Sequence, residues 1–123
     1  MSEQPVFIHG IPTGSKYETY FAKALDKYHW PFEYQVPLFG GRNVMGGTVV
    51  DFIVDTTPLP TPVYVQAEYW HAGERQEQEK VLDSLIAARL RQKYNMPIRL
   101  WSKDVGTQED ADRTVLREFG RMG

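Results

Sequence analysis

Cysteine is absent from the 123 residues. Its absence excludes disulfide staples, thiolate metal ligands and a cysteine nucleophile, and it suits a reducing compartment. Long apolar runs are missing as well. No stretch approaches the roughly 20 residues that a membrane helix needs, so no membrane partner is expected. The opening residues, MSEQPVFIHG, lack a basic segment followed by an apolar run, so no secretory signal is expected and a cytoplasmic setting is. Excess positive charge is also lacking: 14 Lys and Arg stand against 16 Asp and Glu, for a net charge of −2. A protein that coats nucleic acid over its whole surface is more basic than this, so contact with DNA would rest on a local patch or on bridging cations.

What is present is globular. Hydrophobic residues make up 41% of the chain and charged residues 24%, a composition that builds a core rather than a disordered tail. The length suits one domain over residues 1–123, with a single core of modest size. The 3 Trp and 7 Tyr fit a core and an interface equally well. No internal repeat or low-complexity tract interrupts the sequence.

Hydrophobic spacing gives the element order α-β-β-β-α-β-α, the pattern of an α/β domain with a mixed sheet flanked by helices. A first helix is expected from Thr13–Ser15, because Ser15 and Glu18 have capping-box spacing. Its stripe is Tyr17, Phe21, Ala24, Leu25 and Tyr28, and it stops before Pro31. Strands follow at 32–38 (FEYQVPL), 48–54 (TVVDFIV) and 63–70 (VYVQAEYW). FGGRNVMGG forms a turn between the first two. TTPLPTP, residues 56–62, is a connector, on the ground that its prolines cannot lie inside a central strand. Val81 to Tyr94 is a second helix, ended by Asn95 and Pro97. IRLW, residues 98–101, is a short strand. A last helix runs from Asp110 to Phe119, with Thr107 as cap and Gly120 as stop.

Asp51 is the most informative residue. It lies in the middle of an apolar strand, where a carboxylate is costly unless paired, hydrogen-bonded or bound to a metal. Alternation points Val49, Asp51 and Ile53 one way. Two readings stand side by side: an aspartate that ties down a loop at a strand edge, and a functional carboxylate. Tyr64, Gln66 and Glu68 share one face of the next strand, either as a polar site or as a solvent-facing row. Asp51 and Glu68, with an oxygen of Gln66, would offer hard ligands suited to Mg²⁺ or Mn²⁺ rather than zinc. Glu18 is either a capping glutamate or a third ligand. His71 is either solvated or a proton donor that faces the site. Arg75, Lys80, Arg89, Arg91 and Lys93 alternate with Glu74, Glu77, Glu79 and Asp83, so a helix face laced with ion pairs is favoured over a phosphate-binding patch.

SKYETYFAKAL, WPFEYQVPLFGGR, GGTVVDFIV and VYVQAEYWH, followed by an Asp-bearing helix and a short strand, resemble the compact branch of the PD-(D/E)xK nucleases. That branch includes very-short-patch mismatch endonucleases and Holliday-junction resolvase-like phage and bacterial domains. The resemblance spans about residues 13–105, with the helix at 110–119 beyond it. It implies a restriction-endonuclease-like fold, a DNA substrate and a Mg²⁺ or Mn²⁺ cofactor. It further implies that Asp51 is the main metal ligand, that Glu18 assists from the first helix, that Gln66 stands where the family has lysine, and that His71 transfers a proton. Tyr64 departs from the pattern, because an acid is expected there. Either Glu68 takes over as second ligand, or the site is degenerate and the domain binds DNA or builds an assembly such as a phage particle. The setting would then be the host cytoplasm or a virion, and a homodimer or larger assembly is a further expectation.

Overall fold

The computed structural model describes residues 7–38, 41, 48–66 and 93–121. These residues are mixed α/β and form two helices, a four-stranded mixed sheet and a two-stranded sheet. The small sheet is a hairpin of β1 (Phe7–Ile8) and β2 (Ile11–Pro12). His9 and Gly10 connect them with φ of 50° and 81°, the positive values that a two-residue hairpin turn requires. The His9 ring stacks on Phe32 at 4.4 Å, and Ile8 enters the core. The sequence reading did not anticipate this hairpin.

Helix α1 spans Lys16–Lys27 with Ser15 as N-cap, and the Ser15 hydroxyl accepts from the Glu18 N–H at 3.3 Å. Its C-terminus closes through His29, whose backbone is left-handed at φ 66°. His29 N–H donates to Asp26 C=O and Trp30 N–H to Leu25 C=O, the pair of bonds that satisfies the last carbonyls of a helix. Pro31 then begins the exit. Helix α2 spans Gln108–Glu118, starting two residues earlier than expected. Thr107 accepts from the Asp110 N–H at 3.1 Å, and Gly120, at φ 76°, ends it.

The main sheet has the order β3 (Phe32–Leu38), β4 (Thr48–Val54), β5 (Thr61–Val65), β6 (Ile98–Leu100). The first two pairings are antiparallel and β5–β6 is parallel. A parallel neighbour needs a crossover connection of a dozen or more residues, and residues 66–97 supply one. Most of the helix expected over Val81 to Tyr94 lies outside the described residues, as do strand positions 67–70. Lys93 is in a turn.

Pro62 corrects one expectation. It lies within β5, an interior strand, paired with Ile53 and fully buried. Along β5 the N–H groups alternate: Val65 donates toward β4 and Gln66 toward β6. Pro62 therefore directs its nitrogen toward β6, whose pairing begins only at Val63. No ladder bond is lost there, so the objection to proline does not apply. Asn95 holds the preceding loop through bonds to Leu59 C=O and the hydroxyls of Thr56 and Thr61.

Both faces of the sheet carry buried side chains. On one, Phe21, Ala22 and Leu25 of α1 and Ala111 and Val115 of α2 pack on Phe32, Phe52, Val54, Val63 and Leu100. On the other, Leu38, Val50, Ile53 and Tyr64 cluster with Val36 and Tyr94. α2 is tied to α1 by Lys27–Asp112 at 2.8 Å and by the Gln108 amide on Tyr20 C=O, so the C-terminal helix belongs to the same core.

Candidate functional site around Asp51

The strands part around Asp51. The β4–β5 ladder runs from Val54–Thr61 to Phe52–Val63 and stops. Beyond it, the Asp51 carboxylate stands in for a backbone acceptor: the Val65 N–H donates to Oδ2 at 2.8 Å. On the other side, β3–β4 pairs Tyr34 with Phe52 and Val36 with Val50, skipping the Gln35–Asp51 row between them. Gln35 has φ 55°, a left-handed value in mid-strand that only an over-determined environment maintains. Packing changes at the same point. Phe52 and Val54 lie in the first cluster, whereas Val50 joins Ile53 in the second. Simple alternation along β4 therefore breaks at Asp51.

The Gln35 amide uses this break. Its Nε2 donates to Asp51 Oδ1 at 3.2 Å and to Glu18 Oε1 at 3.3 Å. Glu18 and Asp51, on a helix and a strand far apart in sequence, are thus brought together across one nitrogen. Glu18 is 8% exposed. It also accepts from the Tyr34 hydroxyl at 2.9 Å and from the Ser15 hydroxyl at 3.1 Å. Capping accounts for the Ser15 contact but not for those to Tyr34 and Gln35. A Cβ on Gly14 would lie 3.2 Å from Glu18 Oε2, so a side chain at that position would press on the carboxylate.

Burial, and then the hydrogen bond to the Glu18 carboxylate, push the Tyr34 phenol from 10.0 up to about 12. The folded protein holds this proton more tightly than the unfolded chain. The resulting stabilisation is complete below the unfolded value near 10 and is lost as pH rises through about 12. Denaturant unfolding across that alkaline window should show wild type losing stability more steeply than Tyr34→Phe, which has no phenol to ionise. Equal slopes would contradict the Tyr34–Glu18 contact.

Tyr64, at the position of the missing acid, is 7% exposed and packs in the second cluster. The Arg99 guanidinium lies 4.3 Å from its ring centroid, within cation–π range. This corrects the reading of a solvent-facing row at that position: β5 is interior, and Tyr64 is a core residue. Gln66 is half-buried at the end of β5, with its N–H on Leu100 C=O at 2.7 Å. Glu68, His71, Arg75, Lys80, Arg89 and Arg91 lie outside the described residues. Lys93 is exposed.

Asp51 and Glu18 offer hard carboxylate oxygens of the kind that Mg²⁺ and Mn²⁺ take, and they converge on one point. They fit as part of a ligand set. Among the described residues no group of three or more His, Asp or Glu side chains gathers to hold a metal; Glu68, expected as the second ligand, lies outside them. Among the described residues no helix is long and apolar enough to cross a membrane.

Sequence reasoning missed Gln35. Its signal was weak: a glutamine in an alternating strand, next to a tyrosine whose hydroxyl needs a partner once the ring is buried. No known family model and no curated protein matches the chain.

Proposed function

We propose that the chain is a metal-dependent DNA endonuclease on a restriction-endonuclease-like scaffold. The observation that carries this reading is the meeting of Glu18 and Asp51 across the Gln35 amide, where the strands part. The resemblance makes Asp51 the main metal ligand and has Glu18 assist it. An antiparallel β3–β4–β5 meander followed by a parallel β6, with α1 on one face, also suits that scaffold.

Asp51 and Glu18, with Glu68, would hold Mg²⁺ or Mn²⁺. Such an ion, when bound, supplies an acidified water and neutralises charge on the scissile phosphate. Gln66 orients the attacking water through its side-chain amide, in the lysine's place, and His71 gives a proton to the leaving oxygen. With a net charge of −2, the surface contributes little general attraction for DNA, so binding depends on the site and its cation.

The test is incubation of purified protein with supercoiled, mismatched and branched DNA in Mg²⁺ or Mn²⁺. Nicking by wild type and none by Asp51→Asn is expected. A wild type that cuts none of these substrates, or an equally active Asp51→Asn, removes the enzymatic reading.

One observation favours a second reading, a non-catalytic DNA-binding or assembly component, for instance of a phage particle. Tyr64 is built into the core under Arg99, so no acid could replace it without burying a charge. Retained DNA binding without cleavage would select this reading.

A further inference from the structure

Gln35 is, among the described residues, the only strand residue with positive φ. The unusual backbone has a consequence for the side chain. One amide nitrogen carries two hydrogens, and here its two acceptors are Asp51 Oδ1 at 3.2 Å and Glu18 Oε1 at 3.3 Å. The reverse orientation would aim the amide oxygen at two carboxylates, so the neighbours fix which atom faces them. The Tyr34 hydroxyl, 2.9 Å from the same Glu18 oxygen, closes the arrangement.

We infer that Gln35 is a positioning residue that holds Glu18 and Asp51 as a pair by occupying the place a shared divalent cation would take. The inference rests on reading that pair as metal ligands. Mg²⁺ takes oxygen ligands at about 2.0–2.1 Å, so a cation held by Glu18 and Asp51 together would compete with the Gln35 N–H groups for the same two oxygens. Gln35 would give up these two hydrogen bonds when the carboxylates hold an ion. Its two hydrogen bonds stabilise only the metal-free state, and a contact made only in the free state weakens observed binding by the free energy it contributes there. Removing the amide therefore tightens metal binding while lowering the stability of the metal-free protein.

The experiment is calorimetric titration of the full chain with MnCl₂, comparing wild type, Gln35→Ala and Gln35→Met. Methionine nearly keeps the side-chain length without the donors, and serves where alanine fails to fold. The expected result is Mn²⁺ affinity raised about tenfold by either variant, the scale set by a hydrogen bond to a charged group, with a lower melting temperature in the absence of metal. A Gln35 that matters only for folding would lower the melting temperature and leave the affinity unchanged, or weaken it, and that result overturns the inference. Measurable Mn²⁺ binding by the variants alone supports it while counting against an active wild-type nuclease. No binding by any of the three proteins defeats both.

Discussion

Asp51→Asn should reduce Mn²⁺-dependent nicking by at least about a hundredfold while destabilising the fold less than Asp51→Ala does. The two effects separate because the proposed metal role needs the negative charge, whereas holding β5 needs only an acceptor oxygen. An asparagine keeps an oxygen that can accept from the Val65 N–H, the bond made at 2.8 Å by Oδ2, so the parted edge of β4 and β5 remains satisfied, while its NH₂ replaces the oxygen that accepted from Gln35 Nε2. It removes the negative charge on which a hard cation depends, and with it the stabilisation of developing charge that a metal provides. Asp51→Ala removes both. The Val65 N–H then loses its acceptor in a half-buried setting, a loss of about 1–3 kcal/mol. Nicking assays beside urea unfolding of the three proteins distinguish the roles. If Asp51→Asn is as unstable as Asp51→Ala yet still cuts, the residue is a structural aspartate that ties two strands.

Phe52→Ala should be the most destabilising single core change near the site, about 3–5 kcal/mol in urea unfolding. Phe52 is fully buried. Its ring meets Phe21 edge-on at 5.0 Å, Tyr34 at 5.1 Å and Phe32 at 5.5 Å. The truncation opens a cavity between α1 and the sheet, where these rings cannot close up fully. Phe52→Leu keeps most of the volume and should cost about 1–2 kcal/mol. The loss would also reach the site, because the Tyr34 ring packed on Phe52 carries the hydroxyl that holds Glu18. A Phe52→Ala loss below about 1 kcal/mol would mean that this cluster is not the main core.

The parts of the fold legible in the sequence are those set by local chemistry. Ser15 with Glu18 and Thr107 with Asp110 announce helix starts because a hydroxyl and an N–H three residues on must meet there. Gly120 announces a stop because it takes φ 76° without strain. Alternation located β3, and a nearly continuous apolar run located β4, both to the residue. What could not be read depends on neighbours. The tolerance of Pro62 follows from where β6 starts pairing, a property of another strand. The burial of Tyr64 follows from an interior place in the sheet and from Arg99. The hairpin at His9–Gly10 gains Phe32 as a stacking partner only in three dimensions.

For the site, the sequence marked Asp51 and Glu18 individually: one as a carboxylate in an apolar strand, the other at a helix start. Their connection runs through Gln35, whose left-handed backbone nothing in an alternating FEYQVPL segment signals. The expected face shared by Val49, Asp51 and Ile53 fails at the same point, because the register skips the Gln35–Asp51 row and Val50 packs with Ile53. Glu68 and His71, expected as second ligand and proton donor, lie beyond the described residues, and their roles belong to the proposed function.

Under the proposed function the Asp51 carboxylate would bind a divalent cation together with Glu18. Anomalous scattering from a crystal of the wild-type protein soaked in Mn²⁺ tests it most directly. The expected result is a manganese peak in contact with Asp51 and Glu18 oxygens, with the Gln35 amide no longer bonded to both carboxylates. A saturating soak that leaves no peak there, with Gln35 still bridging the two carboxylates, would contradict it.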